Sequence, residues 1–259
     1  MDHRQRLSNC ISGNKIDRPP VALWRHFPVE DQEASLLANA VIHFQETYDF
    51  DLVKVTPASS FCTKDWGVRD IWKGNPEGTR EIIEFPIQRP EDWLKLKPNL
   101  VKNNHLSEQL TCVRHIRSTL PMTTPVIQTI FNPLSQAKSL VGKNNLPIHI
   151  RLYPDEVKYA LGIITETTIE FIRNLNPLGI DGVFYALQHA QAGYLVNLNL
   201  RSFQNHSTSK FWNPANSIGL TFFTFMVKIS ILMKFLIIHA MCSIGTINRP
   251  LQLSHKPRK

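Results

Sequence analysis

The stretch PDEVKYALGIITETTIEFIRNL, Pro154 to Leu175, is followed within a few residues by GIDGVFYALQHA, Gly179 to Ala190. In the first, Val157, Leu161, Ile164, Thr168 and Phe171 recur at steps of three and four, the spacing of one helix face. Asp155 and Glu156 suit its first turn, where the helix dipole favours carboxylates. The second is a short apolar run rich in aromatic and β-branched residues, which reads as a strand. A helix feeding such a strand is part of a βα unit.

The same alternation runs back toward the N-terminus. PPVALWRHFP (Pro19 to Pro28) reads as a short apolar strand ending in polar groups. A helix follows, with Ala34, Leu37, Val41, Phe44 and Tyr48 on its buried face. FDLVKVTPA (Phe50 to Ala58) is a β-branched strand, and PVIQTIFNP (Pro125 to Pro133) is another. Between Trp66 and Ile87 the turn GNPEG separates two strand-like runs, a hairpin excursion. Pro90 opens PEDWLKLKPNL as a helical stretch with an acidic first turn. Strands are expected near 20–25, 51–56, 126–131 and 182–187, parallel and joined by right-handed crossovers. The fold class is α/β: four βα units are half of an eightfold (β/α)8 barrel, and an open doubly wound sheet is the alternative. No glycine-rich phosphate loop follows any strand, which argues against nucleotide binding.

The charge is split unevenly. The chain of 259 residues carries a net charge of +8, yet its first 195 residues hold 21 acidic against 21 basic side chains. From Val196 to Lys259 there are 8 basic residues and no acidic one, where average composition predicts about seven acids. The basicity is therefore a property of a compositionally foreign tail, and the closing HKPRK is not read as a nucleic-acid arm. Cys10, Cys62, Cys112 and Cys242 form no C-x-x-C pair, which suggests neither a disulfide framework nor a cysteine metal site. With no signal sequence visible either, a reducing cytoplasm is the expected location.

In order along residues 4 to 195 stand DRPPVALWRHF, YDFDLVKVTP, GNPEGTR, PEDW, TIFNPLSQAKSLVG and GIDGVFYALQHAQAG. This series resembles the uroporphyrinogen decarboxylase family, most of all its divergent uroporphyrinogen-III decarboxylase-like branch. The resemblance implies a single (β/α)8 barrel. It also implies cofactor-free loss of carbon dioxide from acetate side chains of a porphyrinogen-like substrate. The same family includes zinc-dependent corrinoid methyltransferases, which supply the alternative function. The expected partner is a small carboxylated substrate; nucleic acid and membrane are not expected, no cofactor or metal is assigned, and a homodimer is an option for intact relatives.

Candidate site residues follow from barrel geometry, since side chains just past the strand C-termini face the site. Arg25 and His26 follow the first expected strand. Arg25 matches the arginine-rich loop with which the decarboxylases hold substrate carboxylates, a task suited to guanidinium geometry. His26 and His189 are candidate proton donors or carboxylate ligands. Lys54, Thr56, Tyr185 and Gln188 lie at or near strand ends and are candidate substrate contacts, with snorkelling as the bland reading of Lys54. Three family landmarks are replaced. TPASSF has no aspartate after the second strand, NPLSQAKSLVG offers Lys138 and Ser139 in place of a tyrosine, and QHAQAG has no serine.

The tail contains FFTFMVKISILMKF, Phe222 to Phe235. Read one frame over, the codons of Met226 and Val227 give glycine. Those of Phe223 with Thr224, and of Phe225 with Met226, give His or Tyr; Val227 with Lys228 permits Glu. The shifted reading permits L-H-L-H-G-E-N, and farther on Ile244 to Ile247 permit W-H-D. Both resemble motifs of this family branch, in the correct order. Residues 196–259 are accordingly read as an out-of-frame tail after a partial barrel, leaving the chain inactive as it stands. A membrane-tethered, non-enzymatic fragment is the third reading: Ile218 to Met241 is long enough to span, but Lys228 and Lys234 inside it each cost about 3 kcal/mol near the bilayer centre. The tail is expected as coil or as a long apolar helix over 218–241, with no site residue.

Overall fold

The structure, a computed structural model, describes residues 1–98 and 105–187 and the strand Leu220–Phe225. In chain order the elements are α1 (His3–Ile11), α2 (Ala34–Tyr48), β1 (Val53–Val55), β2 (Arg69–Ile71), β3 (Glu81–Glu84), α3 (His105–Thr119), β4 (Val126–Phe131), α4 (Pro133–Val141), α5 (Asn145–Leu152), α6 (Pro154–Leu175), β5 (Gly182–Leu187) and β6 (Leu220–Phe225). Strands β1, β4, β5 and β6 form one parallel sheet in that order, while β2 and β3 pair antiparallel as a separate hairpin. The α/β rhythm read from the sequence is therefore the observed one. Helix α6 buries Val157, Leu161, Ile164, Thr168 and Phe171, the face that their spacing predicts.

Three local expectations are corrected. Residues 20–25 form no strand. The segment touches the start of β1 through Asp51 N–H donating to Val21 O (2.8 Å), but Val21 N–H is taken by the Asp51 carboxylate (2.7 Å) rather than by a strand carbonyl. Pro19 and Pro20 have no N–H to extend a ladder. In α2 the buried face is Leu37, Ala38, Val41, Ile42 and Gln45, and Tyr48 is 58% exposed. Tyr48 instead stacks on Phe50, with ring centroids 5.7 Å apart. PEDWLK makes a single 3-10 stretch, Pro90–Lys95, whose Asp92 accepts from the N–H groups of Gln88 and Arg89.

The start of the apolar run near the C-terminus is a strand, not a helix. Leu220–Phe225 pairs in parallel with β5 from Gly182↔Leu220 to Leu187↔Phe225. A contiguous apolar run suits a parallel strand as well as a helix, and threonine and phenylalanine favour the strand. The free edge of β5 supplies the backbone partners. The rest of the expected 218–241 helix lies outside the described residues.

Two apolar cores result. One joins the sheet to α2 and α3 and to Phe171 and Leu175 of α6. The other lies among α4, α5 and α6 and is closed by Val68, Ile87 and Trp93 from the hairpin excursion and the turn after it. At the N-terminal end of β1, Asp51 is buried and accepts from Arg6, Arg18, His3 and the Val21 N–H. Burial by itself pushes this carboxyl up, but the donors, Arg18 foremost, outweigh it and hold it at about 2. Just before β5, Asp181 does similar work: it pairs with Arg4 and accepts the Val126 N–H at 2.9 Å.

Candidate functional site

Strand β1 is only three residues long and wholly buried. Alternation along the strand sends Lys54 to the face opposite Val53 and Val55. The register pairs Lys54 with Ile127, Ile127 with Gly182, and Thr129 with Phe184, so these residues share that face. Gly182 offers no side chain there, and the Lys54 chain reaches past it toward Phe184. Its Nζ stands 4.3 Å from the Phe184 ring centroid and 4.7 Å from that of Trp24, and the two rings meet edge-on at 5.5 Å. Lys54 is 8% exposed. Burying an ammonium is costly, and each ring face offsets about 0.5–2 kcal/mol of that. Nζ also donates to Thr56 Oγ1 at 3.4 Å, and the Thr56 hydroxyl donates back to Lys54 O. Thr129 Oγ1 donates to Val55 O at 2.6 Å and ties β4 to the end of β1.

Arg25 is exposed beside this clamp. Its Nε donates to His26 O (3.2 Å) and its guanidinium carbon lies 5.3 Å from the Phe27 ring centroid. Arg25 and Lys54 line one narrow cleft with Trp24, Phe27, Phe44 and Phe50. The structure thus joins Lys54 to Thr56 and puts Arg25 on the cleft that Lys54 also lines. It puts His26 elsewhere, under the tip of the β2–β3 hairpin against Gly78. Tyr185 follows Phe184 by one residue and so falls on the helix-covered face, the face from which Gln128 receives a hydrogen bond from Gln109 of α3. Gln188 and His189 lie outside the described residues.

Other ionisable groups divide by environment. Burial lowers the Lys138 ammonium pKa, and the charge of Lys143 adds to this. Burial pushes the thiols of Cys62 and Cys112 up to about 12, which leaves them inert as nucleophiles. His149 accepts from Trp93 Nε1 at 2.9 Å, and burial lowers its pKa. Among the described residues no three His, Cys, Asp or Glu side chains converge as a metal site. No helix among them is long and apolar enough to cross a membrane.

Trp24 and Phe184 were not among the candidates read from the sequence. The signal for Phe184 was present: it lies one residue from Tyr185, and strand alternation separates the two. Nothing local marks Trp24, because it reaches Lys54 from a segment that is not a strand.

A family model described as uroporphyrinogen decarboxylase matches residues 2–213. Among solved structures, a methyltransferase from Methanosarcina mazei shares the fold with a TM-score of 0.70 at 18% sequence identity, over 86% of this chain and 69% of that one. No curated protein sequence matches the chain.

Proposed function

The chain belongs to the uroporphyrinogen decarboxylase family, and on that premise we propose that it carries the substrate-binding half of a barrel that takes a small, ring-bearing carboxylate. The observation that carries this reading is the Lys54 ammonium, which extends from the middle of β1 to lie between the faces of Trp24 and Phe184. A cation in an apolar, aromatic setting matches a ligand with a charged group attached to a flat apolar body. Arg25, on the same cleft, supplies a second cation with bidentate geometry.

The reaction that fits is decarboxylation. Loss of carbon dioxide leaves an electron pair on the former side-chain carbon, and a nearby ammonium or guanidinium stabilises that charge while a proton is delivered to the carbon. With three family landmarks replaced, and with residues 196–259 read as an out-of-frame tail that begins after a partial barrel, binding without turnover of uroporphyrinogen is the expected behaviour. A second reading, methyl transfer, draws support from the name of the structural neighbour.

The test is calorimetric titration of the full chain with uroporphyrin, a stable carboxylated probe, for the wild type, Lys54→Met and the surface control Lys158→Met. Binding weakened about tenfold or more in Lys54→Met alone supports the reading. Equal affinity in all three, or no binding by the wild type, overturns it. Methyl transfer from a methylated corrinoid to a thiol acceptor, with no carbon dioxide released, favours the second reading.

A further inference from the structure

The hairpin β2–β3 carries two kinds of charge. Arg69 with Glu84 and Lys73 with Glu81 form exposed pairs of the sort worth little to stability. Arg80, just before β3, is different: its side chain is 9% exposed and it bonds to three residues on two other parts of the chain. Its Nη1 donates to Pro28 O (2.8 Å) and to Asp31 Oδ1 (3.3 Å), and its Nε donates to Asp70 Oδ1 (2.9 Å). Asp70 also accepts from the Ser60 hydroxyl, on the loop that follows β1. Lys64, from the same loop, lies 3.8 Å from Asp70 and donates to Gln32 Oε1 at 3.0 Å. Two cations and two carboxylates thus make a buried knot that joins residues 28–32 to residues 60–64.

The hairpin tip adds a steric contact. Gly78 has φ +72°, and a Cβ there would stand 2.6 Å from His26 Cβ and 3.3 Å from Pro28 Cδ. Backbone at such a distance from a neighbouring residue tolerates only glycine. The contact falls on the segment that also carries Trp24 and Arg25. A knot of this kind fixes geometry, since each buried partner constrains the others, and removing one leaves the rest uncompensated.

We propose that the hairpin is a clasp and that Arg80 is its positioning residue: by tying Pro28 and Asp31 to Asp70 it fixes the Trp24–Pro28 segment against the end of β1, and so sets where Trp24 and Arg25 stand relative to Lys54. The clasp rests on the proposed binding reading only for what Arg25 and Lys54 hold. Its own evidence is geometric.

The experiment is hydrogen exchange of the ligand-free full chain, read by mass spectrometry on peptides. In Arg80→Met, amides in 24–32 and 58–64 are expected to exchange roughly tenfold faster or more, while those of α3 and β4 keep their protection. Gly78→Ala is expected to speed exchange in 26–28 without affecting 58–64, because the atoms nearest an added Cβ belong to His26 and Pro28. Unchanged exchange at 24–32, a change confined to the hairpin, or an equal rise throughout the chain overturns the proposal. If Arg80→Met does not fold, Arg80→Lys, which keeps the charge but not the fork of donors, is expected to give the same regional pattern at smaller size; a uniform pattern there also overturns it. Uroporphyrin titration of the same variants separates the two readings. The regional pattern without any binding by the wild type sinks the binding reading and leaves the clasp standing. Binding lost in Arg80→Met with exchange unchanged sinks the clasp.

Discussion

The residues leading into the parallel sheet and the interior of its first strand surround charge in different ways. At the N-terminal ends, charge is matched: Asp51 gathers Arg6, Arg18, His3 and a backbone N–H, and Asp181 takes Arg4 and the Val126 N–H. Arg117, buried in the same region, donates to the carbonyls of Leu120, Pro121 and Thr124 and holds the turn into β4. Each of these bonds ties a segment to a strand start. In the middle of β1, Lys54 lies against the rings of Trp24 and Phe184 and donates to the Thr56 hydroxyl, and Arg25 lies against Phe27 on the segment before α2. Aspartates placed before strands are bonded by arginines and backbone N–H groups, whereas the Lys54 ammonium is met by aromatic faces and a hydroxyl. The difference teaches that burial of charge is not one category. What matters is whether a carboxylate or an aromatic face offsets the loss of solvent around it.

The largest effect should come at the matched end. Asp51→Ala removes the acceptor shared by Arg6, Arg18, His3 and the Val21 N–H; Arg6 keeps Asp17, so the loss is expected at the lower end of that for a broken buried pair, about 3 kcal/mol. Urea unfolding followed by circular dichroism is expected to show a loss of stability of that size. A loss below about 1 kcal/mol would break the contrast between Asp51 and Lys54.

In the middle of β1, Lys54→Met is expected to leave stability within about 1 kcal/mol of wild type, or to raise it, since a buried cation is exchanged for an apolar side chain of similar length. The same denaturation experiment reads it. A large loss would place Lys54 with the structural charges.

Acid sensitivity sharpens the comparison further. Asp51, with a carboxyl held at about 2 in the fold, contributes stability that is complete above the ordinary carboxylate value and lost as pH falls toward 2. His149 acts in a higher window. Its pKa is lowered by burial, so below about 6.5 the unfolded chain takes up a proton that the folded chain refuses, and stability falls with falling pH by at most about 1.4 kcal/mol per pH unit. Above that window the contribution is constant. Thermal unfolding between pH 7 and pH 5 is expected to show a shallower slope in His149→Gln than in the wild type; identical slopes would remove His149 from the account.

The smallest effect belongs to the exposed pair Lys73 with Glu81. Lys73→Ala should change stability by no more than about 0.5 kcal/mol, as for other solvated ion pairs. A larger loss would mean that the hairpin's outer face matters to the clasp.

Much of this molecule could be read before any coordinates. The helix over 154–175, the GNPEG hairpin and the strands near 51–56, 126–131 and 182–187 follow from spacing and turn chemistry, because those signals are local. The choice of Lys54 rested on its place in the strand near 51–56, whereas that of Arg25 rested on a strand over 20–25 that does not form.

What the sequence could not supply were relations between distant segments. Whether 20–25 joins the sheet depends on where its N–H groups find partners, and the Asp51 carboxylate takes the one from Val21. Whether Tyr185 or Phe184 meets Lys54 depends on pairing register, since a shift of one residue exchanges the two faces. Whether Arg80 is another surface charge or the centre of a knot depends on three partners that lie 10 to 52 residues away. Periodicity fixes which residues face a common direction along one element. Only the packing of elements against each other decides what they face, and at this site that is what sets Lys54 against Trp24 and Phe184 and Asp51 against its arginines.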